Sequence, residues 1–154
     1  MKPGELIYEV AKGSIGKDMG GNMIPDALSC AISVNNIVQQ ATGKPIGGGA
    51  STYNMYRALK LYSTFLPGWR FYKVRIERAK PGDIIISPTG YGNGKLSNGH
   101  VGIIGMAGEI MSNTSFTTRK WKAGTWQYNH NISNWTSHYG MFGGFPVEVF
   151  RVVR

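Results

Sequence analysis

Gly82-Asp83-Ile84-Ile85-Ile86 and, after a loop of Gly, Asn, Pro and Ser, Gly99-His100-Val101-Gly102-Ile103-Ile104 are the two runs that decide the fold. Each is short, β-branched and bounded by glycine, the pattern of a buried strand. The second begins with a histidine, which places an imidazole at a strand end, where a cleft can reach it. Lys80-Pro81-Gly82 reads as the turn that starts the first run, and Asp83 as the residue that fixes this turn. Ala107-Gly108 then links His100–Met106 to Glu109–Asn113 as a tight hairpin.

Helical patterns precede these strands. Glu5 to Lys12 has Leu6, Ile7, Val10 and Ala11 on one side and stops at Gly13. Cys30, Val34, Ile37, Val38 and Ala41 follow helical spacing up to Gly43, with Asp26 or Ser29 as N-cap. Either cap puts Cys30 near the first turn, where unpaired N–H groups and the helix dipole favour a thiolate. Ser51 caps a further helix from Thr52 to about Tyr62, with Tyr53, Tyr56, Leu59 and Leu61 as its partly buried face. Trp69 to Arg78 alternates and reads as a strand, and Pro146 to Val153 as a closing strand. The intervening 114–144 stretch is long, polar and aromatic. The expected fold is α+β, a single domain over residues 1–154.

The 154 residues suffice for a sizeable core, and 42% hydrophobic with 16% charged residues is a folded composition. A net charge of +9 favours an anionic partner, such as nucleic acid or the phosphate-rich polymers and lipids of a bacterial envelope. Simple solubility is the plainer explanation. One cysteine rules out an internal disulfide framework. The start, Met1-Lys2-Pro3-Gly4-Glu5, lacks an apolar signal core, and no run approaches the ~18–20 apolar residues of a membrane span. Synthesis in a cytoplasm is expected, with any action on a cell wall following lysis, phage delivery or injection.

Cys30 and His100 suit nucleophilic catalysis. The thiol needs a base, and the base needs a polar group to orient it. Asn113, with Ser112 as the fallback, lies at the far end of the strand that pairs with His100. The backbone N–H of Cys30 is the natural oxyanion donor, with a side chain of the Asp18–Asp26 loop as a possible second. The competing structural readings are a small buried apolar cysteine and an Asn113 that begins a turn. His130 and His138 read as loop or surface residues. No histidine pair has metal-ligand spacing, so neither metal nor cofactor is expected.

Cys30 at a helix start, Lys80-Pro81-Gly82-Asp83-Ile84-Ile85, Gly99-His100-Val101-Gly102-Ile103 and a strand ending in polar residues resemble the NlpC-type cell-wall cysteine peptidases. The related CHAP amidohydrolase/peptidases share this order. The likeness covers about Asp26 to Asn113, and the Ile110–Ser115 stretch with the aromatic tail also resembles phage and prophage murein hydrolases. It implies a papain-like α+β fold, with N-terminal helices carrying the Cys packed on a central antiparallel sheet carrying the His. It also implies a catalytic Cys30, His100 and Asn113 acting on an amide of the peptidoglycan stem peptide. The enzyme would be an endopeptidase or an N-acetylmuramoyl-L-alanine amidase, working as a monomer and without a metal. Ser29 departs from the pattern, since many members of the first family have Asp before the nucleophile.

Two other classes compete. One is a catalytically silent basic domain that binds wall or nucleic acid or builds a virion. The other is a cysteine acyltransferase using the same triad. Arg70, Lys73, Arg75, Arg78 and Lys80, with Arg119, Lys120 and Lys122, suit an anionic envelope polymer or lipid; nucleic acid is the weaker reading because no recognised motif accompanies them. Trp121, Trp126, Tyr128, Trp135 and Tyr139 read as a second packing cluster, or as a lining for sugar or peptide. A low-pKa, rapidly alkylated Cys30 would mark the enzyme, and a buried inert thiol the binding domain.

Overall fold

The computed structural model describes residues 1–21, 28–61 and 67–153. Among them the order is α1 (Pro3–Gly13), α2 (Cys30–Thr42), α3 (Thr52–Leu61), β1 (Arg70–Val74), β2 (Ile84–Ser87), β3 (His100–Ile104), β4 (Glu109–Asn113), β5 (Trp126–Asn131), α4 (Ile132–Trp135) and β6 (Glu148–Val153). The strands form one antiparallel sheet in the order β1-β6-β2-β3-β4-β5. The chain is therefore α+β, with helices on a six-stranded antiparallel sheet.

Strand alternation sorts the apolar side chains into two layers. Ile84, Ile86, Val101, Ile103, Met111 and Phe150 face α1, α2 and α3, where Ile7, Val34, Ile37 and Met55 meet them. Ile85, Ile104, Ile110 and Val149 face the other way, against Trp135, Tyr139 and Phe145. The last three come from the segment after β5, where α4 runs directly into a π-helical stretch at Thr136–Phe142.

The helix ends follow from local chemistry. Pro3 occupies the first turn of α1, where its missing N–H costs nothing. α2 stops at Gly43, whose φ of 92° is left-handed. Ser51 Oγ accepts from Asn54 N at 3.0 Å and so caps α3. The turn before β2 is held as its sequence implies: Lys80 N donates to Asp83 Oδ2 at 2.8 Å. Asp83 is buried, and Arg151 of β6 donates to both of its carboxylate oxygens at 2.9 and 2.8 Å.

The structure departs from the sequence expectations in three places. β1 ends at Val74 instead of running to Arg78, because the chain tightens into a 3₁₀ turn over Ile76–Arg78, with Arg78 N bonded to Arg75 O. The 114–144 stretch, read as an aromatic loop, contains β5 and the α4/π-helical segment. Tyr53 of α3 is 41% exposed while Tyr56 is buried, so the partly buried face expected there is divided. Asp26, offered as an N-cap, lies outside the described residues. Among the described residues no helix is long and apolar enough to cross a membrane.

Candidate active site

Cys30 is the first residue of α2, preceded by Ser29, whose side chain makes no capping bond to the helix. It packs in the layer between helices and sheet, and the residue is only 8% exposed. Backbone N–H groups of Val101, Ala31 and Cys30 itself point at the sulfur. They favour the thiolate, as a helix start should, but burial outweighs them and pushes the thiol up to about 11. The lowered thiol expected from the helix start is thus reversed in this structure. The contact with Val101 N–H brings the sulfur to the residue that follows His100.

His100 opens β3 opposite Ser87 of β2. Alternation turns its ring to the other layer, with Ile104 and Ile110. There it stacks on Tyr139 at 5.6 Å and packs against Trp135 at 5.3 Å. His130 of β5 meets it edge-on at 5.5 Å. Burial, and then the neighbouring His130 and His138, pull His100 down to about 3, so the imidazole is neutral across the ordinary pH range. Tyr139 also lies close enough to Cys30 for a thiolate to oppose its ionisation, although burial is the larger effect on this phenol. The thiol lies in one layer and the imidazole in the other, both at the end of the sheet where β3 begins.

The polar side chain bonded to His100 is Ser112, where the sequence reading put Asn113 first. His100 Nε2 lies 2.9 Å from Ser112 Oγ. The reason is the pleat: Ile104 pairs with Ile110, so 110 and 112 share the face of His100, and 111 and 113 take the opposite one. Carrying the same register on sets Asn113 opposite Val101, on the face from which Cys30 approaches. Gly102 makes the diagonal His100–Ser112 contact possible. A Cβ there would lie 3.3 Å from Ser112 Cβ and 2.7 Å from Met111 O.

Asn129 was not singled out in the sequence, where His130 reads as a loop or surface residue and Trp135 as part of a second packing cluster or a sugar or peptide lining. Asn129 accepts a short hydrogen bond from Ser112 Oγ and donates to Ser112 O at 3.1 Å and Thr114 Oγ1 at 3.2 Å. It reaches them through a bulge: Ile110 pairs with His130 but Ser112 with Gln127, which leaves β5 one residue in excess. The same irregularity brings His130 against His100, so His130 belongs to the site and not to the surface. Trp135 is fully buried and donates from Nε1 to Ser87 Oγ at 3.0 Å, walling the imidazole. The alternation of Trp126 and Tyr128 was the available signal for β5, and Asn129 breaks it at the bulge.

The glycine-rich loop before His100 bounds this end of the sheet. Gly99 N donates to Thr89 Oγ1 at 2.9 Å, and Thr52 at the start of α3 bonds the same hydroxyl at 2.9 Å. Asn93 N and Nδ2 donate to Gly143 O and Phe142 O at 2.9 and 3.0 Å, so this loop clasps the one that follows the π-helical stretch. Among the described residues no group of three or more His, Cys, Asp or Glu side chains is placed to hold a metal ion. The chemistry on offer is a thiol, a neutral imidazole at the same end of the sheet, polar groups bonded to that imidazole, and backbone N–H donors at a helix start. The chain matches no protein-family model and no curated protein.

Proposed function

We propose that the chain is a thiol-dependent amide hydrolase of the NlpC/CHAP kind, with a papain-like arrangement, acting on the stem peptide of peptidoglycan. The observation that carries this reading is the Cys30 sulfur at the Val101 N–H, one residue beyond His100, which is itself bonded to Ser112. In the reaction the imidazole takes the thiol proton as sulfur attacks the amide carbonyl. The N–H groups of Cys30 and Ala31 face the developing oxyanion. The imidazolium returns the proton to the leaving amine, and water then cleaves the thioester by the same route in reverse. Ser112 orients the imidazole in the place first given to Asn113.

The exposed Arg70, Arg75, Arg78 and Lys80 lie on and just after β1, an edge strand. They suit an anionic wall polymer or lipid, and they also keep that edge from pairing with another chain.

A second reading has its own support. Cys30 and His100 are 8% and 3% exposed, and burial holds both in their uncharged forms. A basic binding domain that kept this arrangement without the chemistry would look similar.

Clearance of purified cell walls separates the two. Wild-type protein is expected to lyse them, with Cys30→Ala and His100→Ala folded and inactive. Undiminished lysis by Cys30→Ala overturns the hydrolase. Wall binding that weakens with salt and ignores Cys30→Ala, without lysis, supports the second reading. Mass spectrometry of the digest identifies the bond cut.

A further inference from the structure

Asn129 makes no hydrogen bond to the thiol or the imidazole, yet its hydrogen bonds decide which imidazole nitrogen can react. The Asn129 amide donates through Nδ2 to Ser112 O at 3.1 Å and to Thr114 Oγ1 at 3.2 Å. Rotating the amide would set its oxygen against the Ser112 carbonyl with no proton between them. Its Oδ1 therefore faces Ser112 Oγ, and Oδ1 can only accept. The one hydroxyl proton of Ser112 is thus committed to Asn129. Towards His100 Nε2, at 2.9 Å, Ser112 has only lone pairs left. Nε2 must then carry the ring proton and donate it. A neutral imidazole has a single N–H, so Nδ1 is left bare.

We propose that Asn129 is a positioning residue that fixes the polarity of the Ser112 hydroxyl and thereby keeps Nδ1 of His100 as the proton-accepting atom. This rests on the hydrolase reading above and adds a fourth member to its relay. A serine hydroxyl alone would not suffice, because it donates as readily as it accepts. Without Asn129, Ser112 could donate to Nε2 and select the Nδ1–H form. That form has no lone pair free for the thiol proton, since its one basic nitrogen is spent on Ser112. With Asn129 in place the proton moves from Cys30 Sγ to Nδ1, and later from Nδ1 to the leaving nitrogen.

The test reads the tautomer directly. Long-range proton–nitrogen NMR of ¹⁵N-histidine-labelled wild-type protein is expected to show His100 protonated at Nε2 and bare at Nδ1. Asn129→Leu is expected to move the ring toward the Nδ1–H form. On walls it should lower kcat by about 10²-fold with KM little changed. In a Ser112→Ala background the same substitution should cost almost nothing more, because Asn129 acts through Ser112. A wild-type ring protonated at Nδ1 overturns the proposal, as does an unchanged tautomer in Asn129→Leu. Fully additive losses in the double variant overturn it too. If Asn129→Leu fails to fold, the wild-type spectrum still decides. The tautomer is read on resting protein, so an inactive wild type would defeat the hydrolase reading without touching this measurement.

Discussion

At the scale of single residues, burial decides the resting state of the site. Cys30 with a pKa near 11 is about one thiolate in 10⁴ at pH 7, and His100 with a pKa near 3 is uncharged there. Neither a thiolate nor an imidazolium is expected in the resting protein, so in the proposed reaction the thiol would lose its proton as it attacks. Iodoacetamide should modify Cys30 slowly at pH 7, unlike the rapid alkylation that the sequence reading takes as the mark of the enzyme, because burial outweighs the helix start. The rate should climb about tenfold per pH unit through pH 9 without reaching a plateau. A fast rate that is already flat at pH 7 would show that the N–H groups of Val101, Ala31 and Cys30 outweigh burial. The placement of Cys30 at the start of α2 and of His100 at the head of β3 was legible, because a lone thiol at a helix start and a histidine heading an apolar strand are unusual settings. The choice between Ser112 and Asn113 was not legible to the same degree. A shift of one residue in a strand moves a side chain to the other face, and the register of β3 on β4 depends on the turn between them. That turn uses left-handed backbone at Ala107 and Gly108, with φ of 53° and 77°.

At the scale of elements, the loop that delivers His100 is set by a backbone contact only glycine permits. Ser87 pairs with His100, so the chain entering β3 passes directly over the end of β2. A Cβ on Gly99 would fall on Ser87 O and lie 2.7 Å from Thr89 N, both of them backbone atoms that cannot give way as a side chain could. Gly99→Ala is expected to cost about 1–3 kcal/mol in urea denaturation by forcing β2 and β3 apart. It should also displace the imidazole. Gly13→Ala, with open space around it and ordinary φ, is the control and should be neutral or slightly stabilising. Equal midpoints for the two variants would mean the β2–β3 crossover tolerates the insertion. The buried β2, β3 and β4 were readable from their apolar runs and the Pro81-Gly82-Asp83 turn. β5 was not, because Gln127, Asn129, His130 and Asn131 are poor strand formers, held in place by pairing with β4 and by hydrogen bonds to Ser112. Tertiary partners supply what local propensity lacks there.

At the scale of the whole molecule, the buried titratable groups of both layers set a pH window for stability. His100 faces His130 from β5, Trp135 from α4, and His138 and Tyr139 from the π-helical stretch. No carboxylate is among these contacts to stabilise a charge on its ring. Its folded pKa of about 3 lies below the ordinary imidazole value of 6.5, and His130 is displaced the same way by burial. Between those values the unfolded chain binds more protons than the native one, so stability falls as pH drops below 6.5. On the alkaline side Cys30 is displaced upward, from 9.0 to about 11, so the native chain holds its proton longer. Stability is then lost as pH rises above 9, and the buried Tyr139, shifted in the same direction, adds to the loss at higher pH. Urea denaturation should give a plateau between about pH 6.5 and 9. One proton's difference corresponds to a slope of about 1.4 kcal/mol per pH unit. His100→Gln should flatten the acid limb by roughly that slope, and Cys30→Ala the alkaline limb, each leaving the other side unchanged. An acid limb that is the same in wild type and His100→Gln would mean other groups carry it.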